Sequence, residues 1–315
     1  MPESTDLNQK REDLFLLMRK HRNPAEFPLN GFDIFNYVLM AVLTIVSLFP
    51  LYYVVIISFA SQASIQQHLI YALPYSISID AYKYIMKDSL VFHSFFVSLV
   101  ITIIGTLLAV LICTACAYTL SKKDIPGKKL MFLYVMIPMF FGGGLIPSYL
   151  NTKMLGLIDN LWVMILPGIV STYYLILIKS FLEDLPPSVE ESAKIDGAND
   201  LVILFRIVFP MSMPIIATMA LFFAVDYWNN YFTALVYITN QNLMPLQTVL
   251  YQIMSNFNSV MASQTGAAIA ADNAQVYSLS LQMAVIVITT IPILCVYPFV
   301  QKYFTKGIRL GAVKG

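Results

Sequence analysis

The chain has 315 residues, of which 58% are hydrophobic and only 12% charged, with a mean hydropathy of +0.71. Ordinary soluble domains carry roughly 25% charged residues, so the composition argues against a water-soluble fold. The net charge of +1 leaves no electrostatic footprint for nucleic acid, and Cys113, Cys116 and Cys295 all fall inside apolar runs rather than in loops that a disulfide framework would use.

The first thirty residues are polar and charged, with no cleavable leader, so the apolar run that begins near Phe32 is expected to act as an uncleaved anchor. Within this tail, Leu14-Phe15-Leu16-Leu17-Met18 beside Arg19 and Lys20 reads either as part of a topology determinant or as a short helix on the inner leaflet. A helix rising 1.5 Å per residue needs about twenty apolar residues to cross roughly 30 Å of hydrocarbon. Six runs satisfy this, near Phe35–Ile57, Phe92–Leu120, Leu130–Leu150, Leu161–Phe181, Ile207–Ile238 and Leu279–Phe304. The predicted fold class is therefore all-α, a polytopic membrane protein with six transmembrane helices. Cys113-Thr114-Ala115-Cys116 spells a CxxC spacing, but with no second pair or nearby His it reads as two small packing residues of the second run.

Lysine and arginine set the expected orientation. The tail holds Lys10, Arg11, Arg19, Lys20 and Arg22; the second connection holds Lys122, Lys123, Lys128 and Lys129; the fourth holds Lys179, Lys194 and Arg206. The C-terminal end adds Lys302, Lys306, Arg309 and Lys314, whereas the opposite loops carry only Lys83, Lys87 and Lys153. The positive-inside rule then places both termini in the cytoplasm, as an even number of crossings also requires.

The fourth connection, Leu185 to Pro210, reads as two short helices around a turn. Ser188 with Glu191 three residues later has the spacing of a capping box, and Glu190 precedes Lys194 by four in the favourable order. Gly197 supplies a residue able to take a positive φ, Asn199 or Asp200 is placed to cap the second helix, and Pro210 with Pro214 interrupts hydrogen bonding at membrane entry. No nucleotide-cradling GxxxxGK[ST] loop is present: Gly127-Lys128-Lys129 lacks the upstream glycine and following hydroxyl, and Gly142–Gly144 has no lysine.

Glu191-Ser192-Ala193, three residues, Gly197, nine residues and Ile207-Val208-Phe209-Pro210 resemble the EAA-x3-G-x9-I-x-L-P signature of importer-type ABC permeases, with Ser192 for the first Ala and Phe209 for Leu. Phe141-Gly142-Gly143-Gly144-Leu145-Ile146-Pro147, Leu155-Gly156-Leu157, Ile165-Leu166-Pro167-Gly168, Trp228-Asn229-Asn230-Tyr231-Phe232 and Gly311-Ala312-Val313-Lys314-Gly315 extend the resemblance to the carbohydrate branch over roughly residues 90 to 315. Within that branch the chain is similar to the maltose-type permeases and to the group typed by lipoprotein-associated oligosaccharide importers. The resemblance implies a type I importer permease in the bacterial cell membrane, itself no enzyme. It implies that Glu190, Glu191, Ser192, Ala193, Asp196, Gly197 and Pro210 couple to an ATPase. The implied partners are a second permease subunit, two ATP-binding subunits that hold ATP and Mg, an extracellular substrate-binding protein, the lipid bilayer and a carbohydrate substrate. This chain itself is expected to bind no cofactor.

An ionisable group inside a span is a functional candidate by default, and Asp226 lies in the fifth. Asp226, Tyr227, Trp228, Asn229, Asn230 and Tyr231 mix a carboxylate and amides with aromatic faces, as a sugar path does, although Trp and Tyr also gather at membrane interfaces and Asn bonds across helices. His93 reads as interfacial rather than catalytic, and His21 and His68 lie in polar tail or loop. The last outer loop, with its small and polar stretch Ser263 to Ala274, is either filler or a segment that reaches into a docked binding protein.

The expected divisions are a cytoplasmic basic tail over 1–32, the first span and outer loop over 33–90, a permease core over 91–305 with the coupling loop at 183–209, and a cytoplasmic tail over 306–315. The alternatives are a secondary transporter and an intramembrane enzyme. The first lacks visible repeats and leaves the shaped loop unexplained; the second lacks a catalytic partner for Asp226.

Overall fold

A computed structural model describes residues 31–61, 77–87, 89–122, 124–262 and 279–312. The basic tail, the stretch Ser263 to Ala274 and the last three residues lie outside them. The described residues are helical apart from an isolated bridge between Ala60 and Ile77. Residues 1–53 form one compact unit and residues 54–315 another.

The elements, in chain order, are α1 (Gly31–Ser58), α2 (Asp80–Lys87), α3 (Ser89–Ser121), α4 (Lys128–Phe140), α5 (Leu145–Met154), α6 (Trp162–Ile165) and α7 (Thr172–Glu183). There follow α8 (Pro187–Ile195), α9 (Asp200–Ile203), α10 (Phe209–Met211), α11 (Met213–Asn229), α12 (Phe232–Tyr237), α13 (Leu246–Ala262) and α14 (Leu279–Ala312).

Three of the expected crossings are unbroken helices, α1, α3 and the first part of α14. The other three are broken: α4 meets α5 at 116°, α6 with its 3-10 extension meets α7 at 47°, and the α9–α10 segment meets α11 at 85°. Each break has a local cause. Gly144, at φ 83° and ψ 170°, takes a conformation reserved in practice for glycine and turns the chain between α4 and α5. Pro167 has no N–H to continue the ladder beyond α6, and Ser171 then caps α7 by accepting the Tyr174 amide. Counting each bent pair as one span gives six crossings.

α3 is the central helix of the larger unit, packing against α7, α11 and α13. Its buried face repeats every four residues, Val97, Ile101, Gly105, Ala109, Cys113 and Ala117, and the last four are small. Small side chains let helix backbones approach where lipid gives no hydrophobic drive for association. Cys113 is thus a packing residue whose Sγ donates to the Ile169 carbonyl, and both it and Cys116 are free thiols. The opposite face exposes Ile103 and Leu107, the inside-out pattern of a helix whose outer side meets lipid or another membrane chain.

Tyr227 of α11 fills the gap that Gly105 leaves. A Cβ at Gly105 would lie 2.8 Å from the Tyr227 ring and one at Gly168 3.2 Å from it, while the Tyr227 hydroxyl donates to the Ile165 carbonyl at 3.0 Å. The ring therefore locks α3, the α6 turn and α11 together. At one end of this bundle Asp159 makes a second lock. It accepts from the amides of Thr239 (2.5 Å) and Asn240 (2.9 Å) and from the Thr239 hydroxyl, and these hydrogen bonds hold its carboxyl below the usual carboxylate range. Nearby, His93 Nε2 donates to the Asn242 carbonyl at 2.7 Å, joining the start of α3 to the turn after α12.

Two outcomes follow from these locks. Gly105→Ala must displace a buried, hydrogen-bonded ring and is expected to cost about 1–3 kcal/mol, lowering the melting temperature of the purified protein. Gly143→Ala, with nothing within 4 Å of the added methyl, is the control that should not. Because the Asp159 pKa is lowered on folding, its stabilisation is complete above the unfolded carboxylate value of about 3.9 and is lost as pH falls through the lower native value. Hydrogen exchange at the Thr239 and Asn240 amides, corrected for intrinsic rates, should therefore stay slow at neutral pH and accelerate only in that acid window; Asp159→Ala should remove the protection at all pH values.

Candidate functional site

Two regions carry the expected functional residues. The first is the elbow from α7 to α11. α8 begins two residues earlier than a capping box at Ser188 would place it. Pro186 is the N-cap and Pro187 the first helical residue, its fixed φ suited to that position. Ser188 therefore sits inside the helix and caps nothing; its carbonyl instead accepts the Ser192 hydroxyl at 2.8 Å.

The C-terminal end of α8 closes with a doubled bond pattern. The Gly197 amide donates to the Lys194 carbonyl at 3.1 Å and the Ala198 amide to the Ala193 carbonyl at 2.9 Å, with Gly197 at φ 83°. This arrangement satisfies carbonyls that the helix end would orphan, and it needs a left-handed residue at position 197. Two residues later Asn199 caps α9 by accepting the Val202 amide at 2.8 Å, settling the choice between Asn199 and Asp200. Two helices thus meet across a turn in which backbone hydrogen bonds leave little freedom. A π-helical turn, Leu204–Val208, runs up to α10, where Pro210 supplies no N–H.

The elbow presents a mixed surface. Glu191, Ser192, Asp196 and Gly197 are exposed, as is Pro210, whereas Ala193 is buried at 8%. Around the turn Ile195 is 86% exposed, Leu201 67% and Phe205 53%. These three apolar residues were not anticipated from sequence; the signal for Ile195 and Leu201 was an apolar side chain immediately on either side of a charged turn.

Glu190 does not pair with Lys194. Its carboxylate pairs with Lys122, just beyond the end of α3, and the Lys122 ammonium lies 4.0 Å from the Tyr118 ring centroid. Burial works against the charge on Lys122, but hydrogen bonds to Glu190 and Tyr118 outweigh it and raise the lysine pKa. Beside this pair Lys128 and Lys179 reach Glu183 at 3.3 and 2.7 Å, and a cleft of about 400 Å³ opens between Lys122, Glu183, Glu191, Lys194 and Met211.

The second region is the end of α11. The structure divides the six residues expected there. Tyr227 and Trp228 are 5% and 4% exposed and point into the bundle, Trp228 donating its ring N–H to the Thr289 carbonyl at 3.0 Å and meeting Phe95 edge-on. They are packing residues, because a helix turns roughly 100° per residue and only part of any six-residue run faces one way. Asp226, Asn229 and Tyr231 are exposed and Asn230 half-buried. Asp226 accepts the Tyr174 hydroxyl of α7 at 2.8 Å, and Asp226, Asn230, Ser171 and Val170 border a cavity of about 270 Å³. Tyr231 stacks on Tyr251 at 5.0 Å, and Gln247 reaches Asn229 at 3.5 Å. Tyr174, Gln247 and Tyr251 are additions the sequence did not single out, since they belong to other elements. No group of three or more His, Cys, Asp or Glu suited to a metal occurs among the described residues.

No family model matches the chain. It is 39% identical over 284 residues to the polygalacturonan/rhamnogalacturonan transport system permease protein YtcP of Bacillus subtilis (strain 168), covering 90% of this chain and 98% of that protein. It is 40% identical over 284 residues to Protein LplC of the same organism, covering 90% and 95%. A chain in the crystal structure of a bacterial ABC transporter that imports the acidic polysaccharide alginate superposes with a TM-score of 0.79 at 32% identity, covering 88% of this chain and all of that one. Agreement in sequence and in fold over nine-tenths of its length makes the chain a member of the ABC importer permease family that includes these sugar permeases.

Proposed function

We propose that this permease subunit lines half of an oligosaccharide path with the exposed end of α11, and that α8 with its turn is the element an ATP-hydrolysing subunit moves. The observation that carries the proposal is the doubly satisfied turn at Gly197. A force-transmitting element must be stiff, and this one has its helix end closed by backbone bonds and its neighbour capped by Asn199. Exposed Ile195, Leu201 and Phe205 offer apolar anchors for a partner, with Glu191 and Asp196 as polar rim. The lysine and arginine distribution supports a cytoplasmic elbow and cytoplasmic termini.

The assembly would pair this chain with a second permease, two ATP-binding subunits that carry ATP and Mg, and an extracellular binding protein. Transport would be alternating access in the bacterial cell membrane, with binding-protein docking and ATP binding favouring the outward-open state and hydrolysis resetting it. In the path, Asp226, Asn229 and Asn230 supply acceptors and donors for sugar hydroxyls, and the stacked Tyr231 and Tyr251 supply an aromatic face. Tyr227 and Trp228 hold that face in place from behind. The polygalacturonan/rhamnogalacturonan named for one relative and the alginate imported by the structural neighbour support an acidic glycan, which uptake competition with oligogalacturonides, alginate oligosaccharides and neutral oligosaccharides would assign.

In the assembled importer reconstituted with its binding protein, Gly197→Pro and Glu191→Lys should insert normally yet separate ATP turnover from uptake; normal uptake in both would overturn the coupling role. Leu201→Asp should weaken retention of the ATP-binding subunits during purification. Asp226→Asn should lower kcat/KM for uptake about tenfold, the worth of one charge-assisted hydrogen bond, while unstimulated ATP hydrolysis is preserved. Unchanged uptake in Asp226→Asn would remove that residue from the path.

A further inference from the structure

We infer that Lys122 is a positioning residue for energy coupling: its ion pair with Glu190 ties α8 to the end of α3, so that displacement of α8 moves α3 as well as the α7 and α11 spans to which the chain joins it. The inference rests on the reading of α8 as the moving element.

The chain alone gives α8 two covalent exits, through Leu185 to α7 and through Gly197 to α9. Neither reaches α3, which lies more than sixty residues away in sequence yet packs against both α7 and α11. The Lys122–Glu190 contact supplies that missing connection. The two side chains are 18% and 28% exposed, so water screens them less than a surface pair. The Lys122 ammonium is further held over the Tyr118 ring, on the last turn of α3, at 4.0 Å. Glu190, expected from sequence to face a partner or Lys194, is thereby committed inside the chain, while its neighbour Glu191 remains exposed.

What α3 can pass on is also visible. Within α3, sixteen residues before its last residue Ser121, Gly105 abuts the Tyr227 ring so closely that a methyl group would collide with it, and Tyr227 is the covalent neighbour of Asp226. A rigid helix anchored at one end to α8 and packed at its middle against the residue beside the proposed path is a physical route between the two regions. Two neighbouring lysines are differently engaged. Lys128 and Lys179 are satisfied by Glu183 on α7, so they brace α4 and α7 rather than α8.

The test uses the complete importer in proteoliposomes with its binding protein, supplied with the oligosaccharide from the panel above that the unmutated complex imports fastest. ATP hydrolysed per sugar imported should rise roughly threefold to tenfold in Lys122→Met and in Glu190→Gln, the range expected when one link in a coupling network is cut. Lys122→Arg, which keeps the charge, should stay within about twofold of the unmutated ratio. The reversed pair, Lys122→Glu with Glu190→Lys, should be better coupled than either single reversal, the mark of a direct pair; a pair that only supports folding would lower the yield of importer and leave the ATP-to-sugar ratio of the single variants unchanged. An unchanged ratio in Lys122→Met, or a reversed pair no better than its singles, overturns the inference. If Lys122→Met fails to assemble, the reversed pair decides in the same way. Failure of the underlying reading is distinguishable, because then Gly197→Pro would also leave the ratio unchanged.

Discussion

Hydrocarbon offers no hydrogen-bond partners, so every amide and carbonyl at membrane depth must be satisfied by the chain itself. α1, α3 and the membrane-length part of α14 meet this demand as unbroken helices. The other three crossings break it, and hydrogen bonds at each break recover part of the loss: the Gly144 carbonyl accepts the Ser148 amide and hydroxyl, Ser171 caps α7, and the Ser212 amide returns to the Val208 carbonyl before α11 begins. Breaks of this kind are tolerable only where the backbone is buried in protein or lines a polar cavity. The cavity bordered by Asp226, Asn230 and Ser171 opens beside one of them. Irregular backbone and the polar groups proposed for the path therefore lie side by side.

A second consequence concerns how the broken spans are kept in register. Lipid does not drive helices together as water does, so close approach and specific hydrogen bonds must do it. The four-residue stripe of Gly105, Ala109, Cys113 and Ala117 on α3 permits the approach, and the Tyr227 and Trp228 polar atoms donate to carbonyls of other elements. Aromatic residues near the end of α11 thus hold the frame, and the adjacent Asp226 and Asn229 face outward, bonded to Tyr174 and Gln247. The two kinds of residue sit side by side because consecutive helical residues face different directions.

Much of this was legible in the sequence. Hydropathy located the first four crossings to within four residues but set the fifth, expected over Ile207–Ile238, several residues late against Asp200–Asn229, while the spacing around Glu191 and Gly197 predicted a turn that the structure builds with the expected glycine and an Asn cap. What escaped has a common origin. Hydropathy adds residues without regard to direction, so it cannot see a 116° bend. A capping-box pattern at Ser188 was overruled by Pro186 and Pro187, whose fixed φ angles set the helix start. A local Glu190–Lys194 pair lost to a lysine far away in the chain, since tertiary proximity gives a less hydrated partner than the exposed helix surface. The burial of Tyr227 and the approach of Tyr174 to Asp226 depend on which helices become neighbours, and a single sequence does not state that.

The elbow between α7 and α11 is where the account can fail most plainly, because it assigns a stiff turn with an apolar tip to a docking site on a neighbouring ATP-binding subunit. The direct measurement is cysteine crosslinking from the tip. With Cys113, Cys116 and Cys295 replaced, a cysteine at Ile195 or Leu201 in the membrane-embedded importer should form a covalent adduct with the ATP-binding subunit and resist an impermeant thiol reagent added outside intact cells. Labelling of either position from outside, with no adduct to that subunit, would contradict the assignment.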